Sequence, residues 1–128
     1  MPGDFLPVGD FRKLRVWQAA QELAVETHRI AARMRGVSST TLRDQLVRAA
    51  MSVAANIVEG SAHSSRREFA RFLSYALASV SETEGHAQLG FDLGMISRSD
   101  FESLLPRIID VRKMLHGLIR TLRAAPRS

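Results

Sequence analysis

The side chains best suited to acid–base or metal chemistry are four histidines, His28, His63, His86 and His116. Glu59 precedes His63, and Glu82 precedes His86, at the i, i+4 spacing that shares one helical face. A di-iron bundle needs Glu-x-x-His pairs, and none of the four histidines has a glutamate three residues before it. Single Glu–His pairs of this kind read as surface contacts, and His28 reads as a residue packed near the core edge. Ser64 and Ser65 adjoin His63, but no third group is placed to orient that imidazole for nucleophilic catalysis. There is no phosphate-cradling glycine loop, no dinucleotide fingerprint and no His-Glu-x-x-His motif. With no cysteine there is no thiolate nucleophile, disulfide or cysteine-bound zinc. The expectation is a protein without enzymatic activity, metal or cofactor.

Cations offer a different chemistry. Of 18 basic residues only Lys13 and Lys113 are lysine, and 13 acids leave a net charge of +5. Arginine binds phosphate in a bidentate manner, which suits a nucleic-acid partner, although a GC-rich genome also spells basic positions as arginine. From Val111 onward there is no acid, while Arg112, Lys113, Arg120, Arg123 and Arg127 carry charge. Arg112, Lys113, His116, Arg120 and Arg123 fall within about 100° on a helical wheel, a stripe able to track a phosphate backbone. The helix macrodipole favours cations at a C-terminus in any case. Arg66, Arg67 and Arg71 form a second cluster, partly offset by Glu68. One Trp, one Tyr and six Phe lie mostly on core ladders, so no base-stacking platform is expected and any binding is backbone-directed and salt-sensitive.

These residues must be carried by helices. Residues 1–10 hold two prolines and two glycines and read as a loose N-terminal arm. Residues 11–124 read as a single four-helix domain, and 125–128 as a tail. The first helix runs from about Phe11 or Leu14 to Arg35, on the ladder Val16, Ala20, Leu23, Ile30 and Met34, and stops at Gly36. The second runs from about Leu42 to Glu59, with Ser38 to Thr41 as candidate caps and Gly60 as a left-handed stop. The third opens with the capping box Ser65-Arg66-Arg67-Glu68 and ends near Gly94. The fourth opens with Ser99-Asp100-Phe101-Glu102 and contains Pro106, which predicts a kink or a late start. Short connections make sequence neighbours antiparallel, giving an all-α, up-down-up-down bundle.

Helix two is too apolar for one copy of the chain. From Leu46 onward its polar residues Arg48, Ser52, Asn56 and Glu59 lie within an arc of about 80°. The remainder is aliphatic or alanine, which predicts a second covered face including Met51, Ala54 and Ala55. Another copy of the chain is the simplest cover, although alanine also tolerates exposure. The polar stripe reads either as a hydrogen-bonded seam at a subunit contact or as the lining of a shared pore or pocket.

Several segments taken together resemble a known family. They are Phe11-Arg12-Lys13-Leu14-Arg15-Val16-Trp17-Gln18, the run from Arg48 to Gly60 with its Asn56-Ile57-Val58-Glu59-Gly60 end, Ser65-Arg66-Arg67-Glu68-Phe69 continuing to Leu73, and Met114 to Ile119. From Phe11 to Leu122 the chain resembles the bacterial four-helix bundles encoded in intervening sequences of 23S ribosomal RNA genes. That resemblance implies an antiparallel bundle, assembly as a homopentamer and no established enzymatic activity. It also implies kinship with the accessory protein of diversity-generating retroelements, a basic pentamer that engages nucleic acid and a reverse transcriptase. The chain departs from the pattern near His28, at Gly85 and at Pro106. The expected partners are therefore other copies of the chain and RNA. The alternative is a scaffold that docks a partner protein without touching RNA. The N-terminus has no secretory pattern and no stretch is long enough to span a bilayer, so a cytoplasmic, membrane-free protein is expected.

Overall fold

The computed structural model describes residues 10–36, 39–63 and 65–124. Apart from Asp10, the expected arm and tail lie outside the described residues, as do Ser38, Ser64 and Arg127. Asp10 accepts from the Arg12 amide and starts a single 3₁₀ turn, Phe11–Lys13. Four helices follow: α1 Arg15–Ala32, α2 Ser39–Ser61, α3 Arg66–Asp92 and α4 Arg98–Arg123. Each packs on its two neighbours and α1 closes the ring on α4, the expected antiparallel four-helix bundle. Among the described residues there is no strand.

The core follows the 3.6-residue period. Val16, Ala20, Leu23 and Ile30 of α1, Leu46, Val53 and Ile57 of α2, Phe69, Leu73 and Val80 of α3, and Leu104, Ile108, Val111 and Leu115 of α4 are all buried. Ser65 caps α3 as expected, its hydroxyl accepting from the Glu68 amide at 3.2 Å. The Glu68 carboxylate itself is held by Arg71, at 2.7 Å. Gly94, at φ +74°, lies just past the end of α3.

Several boundaries differ from the sequence expectation. The first helix ends at Ala32, and Arg43 of α2 donates to the carbonyls of Ala31 and Met34, satisfying the exposed end of α1. Gly60 is not a left-handed stop. It is a buried helical residue of α2, where an added Cβ would sit 2.8 Å from the Phe72 Cβ and 2.9 Å from the Phe69 ring. Its role is close helix approach. The cap of α4 is Ser97 rather than Ser99, and its hydroxyl accepts from the Asp100 amide at 3.1 Å. Pro106 therefore lies deep in α4, and the helix runs through it. A proline there costs about 3 kcal/mol. The seven buried apolar residues of α4 outweigh that cost.

The end of the bundle opposite Asp10 and Ala124 is clamped across sequence. The Arg33 guanidinium makes a bidentate contact with Asp100, at 2.9 and 3.1 Å. The Arg35 amide donates to the Met95 carbonyl, and Phe91 stacks on Phe101 at 4.7 Å.

Candidate nucleic-acid interface

Antiparallel topology brings the start of α1, the end of α2, the start of α3 and the end of α4 to one end of the bundle. Three groups of cations meet there. Arg12, Lys13 and Arg15 lead into α1, Arg66, Arg67 and Arg71 open α3, and Lys113, Arg120 and Arg123 occupy the last half of α4. Among the described residues the carboxylates at this end are Asp10, Glu59 and Glu68, and two of these are engaged, Asp10 with Arg12 and Glu68 with Arg71. The rest of the described chain balances eight cations against nine carboxylates. Among the described residues the excess positive charge therefore sits at one end.

Concavities cut this basic end. One of about 570 Å³ runs between α3 and α4 and is lined by Arg66, Arg67, Arg71, Tyr75 and Arg123, so the two clusters read separately in the sequence share one groove. A shallower one of about 430 Å³ is bordered by His116, Arg120 and Arg123. A third, of about 470 Å³, has Lys13 and Arg15 beside an apolar floor of Leu14, Met114 and Leu118. Arg71 has its pKa raised, first by its hydrogen bonds to Glu68 and then by the charge of that carboxylate. It stays a cation throughout.

Arg112 stands apart from the stripe to which its spacing assigned it. It is half-buried and donates to Glu84 of α3 at 2.5 Å, which ties α4 to α3. Lys113, Arg120 and Arg123 are exposed.

The polar stripe of α2 divides. Ser52 and Asn56 work within the chain: the Ser79 hydroxyl donates to Ser52 Oγ at 2.9 Å, and Asn56 Nδ2 donates to the Ser52 carbonyl and hydroxyl. Arg48 and Glu59 are exposed. Met51 is 58% exposed and Ala55 is also open, whereas Ala54 is buried under the chain's own helices. Across from Met51, Val25 of α1 is 40% exposed. The two border a groove of about 350 Å³ that also contains Ala24, His28 and Ala54. His28 is exposed on this groove rather than packed at the core edge.

Two features escaped the sequence reading. Tyr75 joins Arg71 in the basic groove, next to Phe72 and His63, which stack at 5.2 Å. The cations of residues 12–15 join the same end as Arg66 and Arg123. The antiparallel order already implied that second convergence. The i, i+3 and i, i+4 spacing of Phe72, Arg71 and Tyr75 was a local signal for the first, but its meeting with Arg123 required knowing how α3 is rotated. Among the described residues no group of histidine and carboxylate side chains is placed to hold a metal ion, and no helix is long and apolar enough to cross a membrane.

No curated protein matches the chain. A crystal structure of a protein of unknown function from the S23 ribosomal protein family of Bacteroides thetaiotaomicron superposes with a TM-score of 0.74 at 27% identity. That match covers 83% of this chain and 99% of the other. Residues 12–117 match the 23S rRNA-intervening sequence protein family, across all four helices. With most of its length matched and the same bundle in a solved relative, the chain belongs to the 23S rRNA-intervening sequence protein family.

Proposed function

We propose that this protein is a non-enzymatic, cytoplasmic homo-oligomer, a pentamer by family resemblance, that binds structured ribosomal RNA through its basic end. The observation that carries the reading is the collection, among the described residues, of nine cations against three carboxylates at that end, over open grooves. A surface of this kind neutralises phosphates and releases counterions, so affinity falls steeply with salt. The family name supports an RNA-related role. The apolar groove of Val25 and Met51 supports self-association. It also suits the second reading, a scaffold that docks a partner protein and uses its charges for solubility.

The test is a salt titration of binding to 23S ribosomal RNA fragments. Replacing Lys113, Arg120 and Arg123 with glutamine is expected to weaken binding and reduce the salt slope by about one per lost phosphate contact. Failure of the wild-type protein to retain RNA at about 50 mM salt overturns the proposal. Capture of one dominant protein after nuclease treatment favours the scaffold.

A further inference from the structure

The basic groove between α3 and α4 has an aromatic wall that phosphate neutralisation does not require. Tyr75 is 43% exposed there, so burial does not account for its position. Its hydroxyl accepts from Arg71 Nη1 at 2.9 Å, and its ring meets the edge of Phe72 at 5.5 Å. Arg71 is fixed in turn by two bonds to Glu68 Oε1, at 2.7 and 3.2 Å, and its guanidinium lies 5.3 Å from the Phe72 ring and 5.6 Å from that of Tyr75. An aromatic ring and a guanidinium are thus held in place before any ligand arrives, which lowers the ordering cost of binding. Arg67 and Arg123 flank them in the same groove of about 570 Å³.

A base-paired duplex presents phosphates and hydroxyls but keeps its bases stacked inside. An unpaired nucleotide presents both an anionic phosphate and an open π-face, and aromatic side chains beside cations are the chemistry that takes both. We infer that this groove binds an unpaired RNA nucleotide, its base stacked against Tyr75 and its phosphates met by Arg67 and Arg123. The inference rests on the nucleic-acid reading of the basic end and narrows it to loops, bulges and strand ends.

The test uses the full chain, an oligouridylate single strand and an RNA duplex of equal length, read by fluorescence anisotropy at fixed salt. Tyr75→Ala is expected to weaken single-strand binding about tenfold while changing duplex binding less than twofold. Tyr75→Phe, which keeps the ring, is expected to bind the single strand like the wild type. A strand carrying 5-iodouridine is expected to photocrosslink to the α3 peptide that contains Tyr75. Equal loss on both probes, no loss on either, or a crosslink mapping elsewhere overturns the inference. If salt-sensitive binding persists in those cases, the basic-end reading stands without it. If the wild type binds neither probe at low salt, both fall.

Discussion

Arg112 and Glu84 face each other across the α3–α4 contact, guanidinium to carboxylate, 28 residues apart in sequence. The pair converts a residue that looks like part of a basic stripe into a structural tie. Arg112→Gln is therefore expected to lower stability by about 0.2–1 kcal/mol, the range for an exposed or partly exposed pair. RNA affinity is expected to stay within twofold of the wild type, in contrast to Arg120→Gln or Arg123→Gln. Denaturant unfolding alongside RNA binding for the three variants checks the distinction.

Two helical glycines respond in opposite directions to the same substitution. At Gly60 an alanine methyl would meet the Phe72 Cβ, an atom fixed to the α3 backbone. Gly60→Ala is expected to destabilise the fold by about 1–3 kcal/mol despite the better helix propensity of alanine. At Gly85, apart from the helix's own neighbouring backbone, no atom lies within 4 Å of the added carbon. Gly85→Ala is expected to stabilise by about 0.5–1 kcal/mol. Thermal melts of the two variants give the comparison.

The Arg33–Asp100 clasp sets an acid limb. Hydrogen bonding from Arg33 holds the Asp100 carboxyl below its ordinary value. A depressed carboxylate contributes stability that is present above its unfolded pKa, near 3.9, and lost as pH falls through the folded value. Asp100→Asn is accordingly expected to be less stable than the wild type at neutral pH, with the gap closing as pH falls below the ordinary carboxylate range. Urea midpoints measured across that range test the sign.

The Val25–Met51 groove is expected to be covered by another copy of the chain. A charge placed there leaves the bundle core untouched, because Met51 faces outward. Met51→Glu is expected to shift the protein towards monomer with an unchanged circular dichroism spectrum. Light scattering of wild type and variant at micromolar concentration reads this out, and a monomeric wild type defeats the expectation.

Local rules made most of the architecture legible. The spacing of Val16, Ala20, Leu23 and Ile30, the Ser65 cap and the stop at Gly94 each depend on residues within a turn or two, so helix number, order and inward faces follow from the chain alone. Position along the sequence was also enough to see that cations cluster at the start of α3 and along α4.

Other features were decided only when the helices packed. Ser97 and Ser99 both precede a residue that can complete a cap, and Ile96, buried against Gly90 of α3, fixes the earlier one. Gly60 looks like a stop signal in the sequence because nothing local announces that Phe69 and Phe72 will press against it. Arg112 looks free until the rotation of α3 brings Glu84 opposite, and the same rotation turns the Arg71–Tyr75 pair towards Arg123 of α4. The periodicity of one helix fixes which face turns inward. The axial register and relative rotation of two helices depend on how all four sets of side chains interlock, and that is settled only in the packed structure.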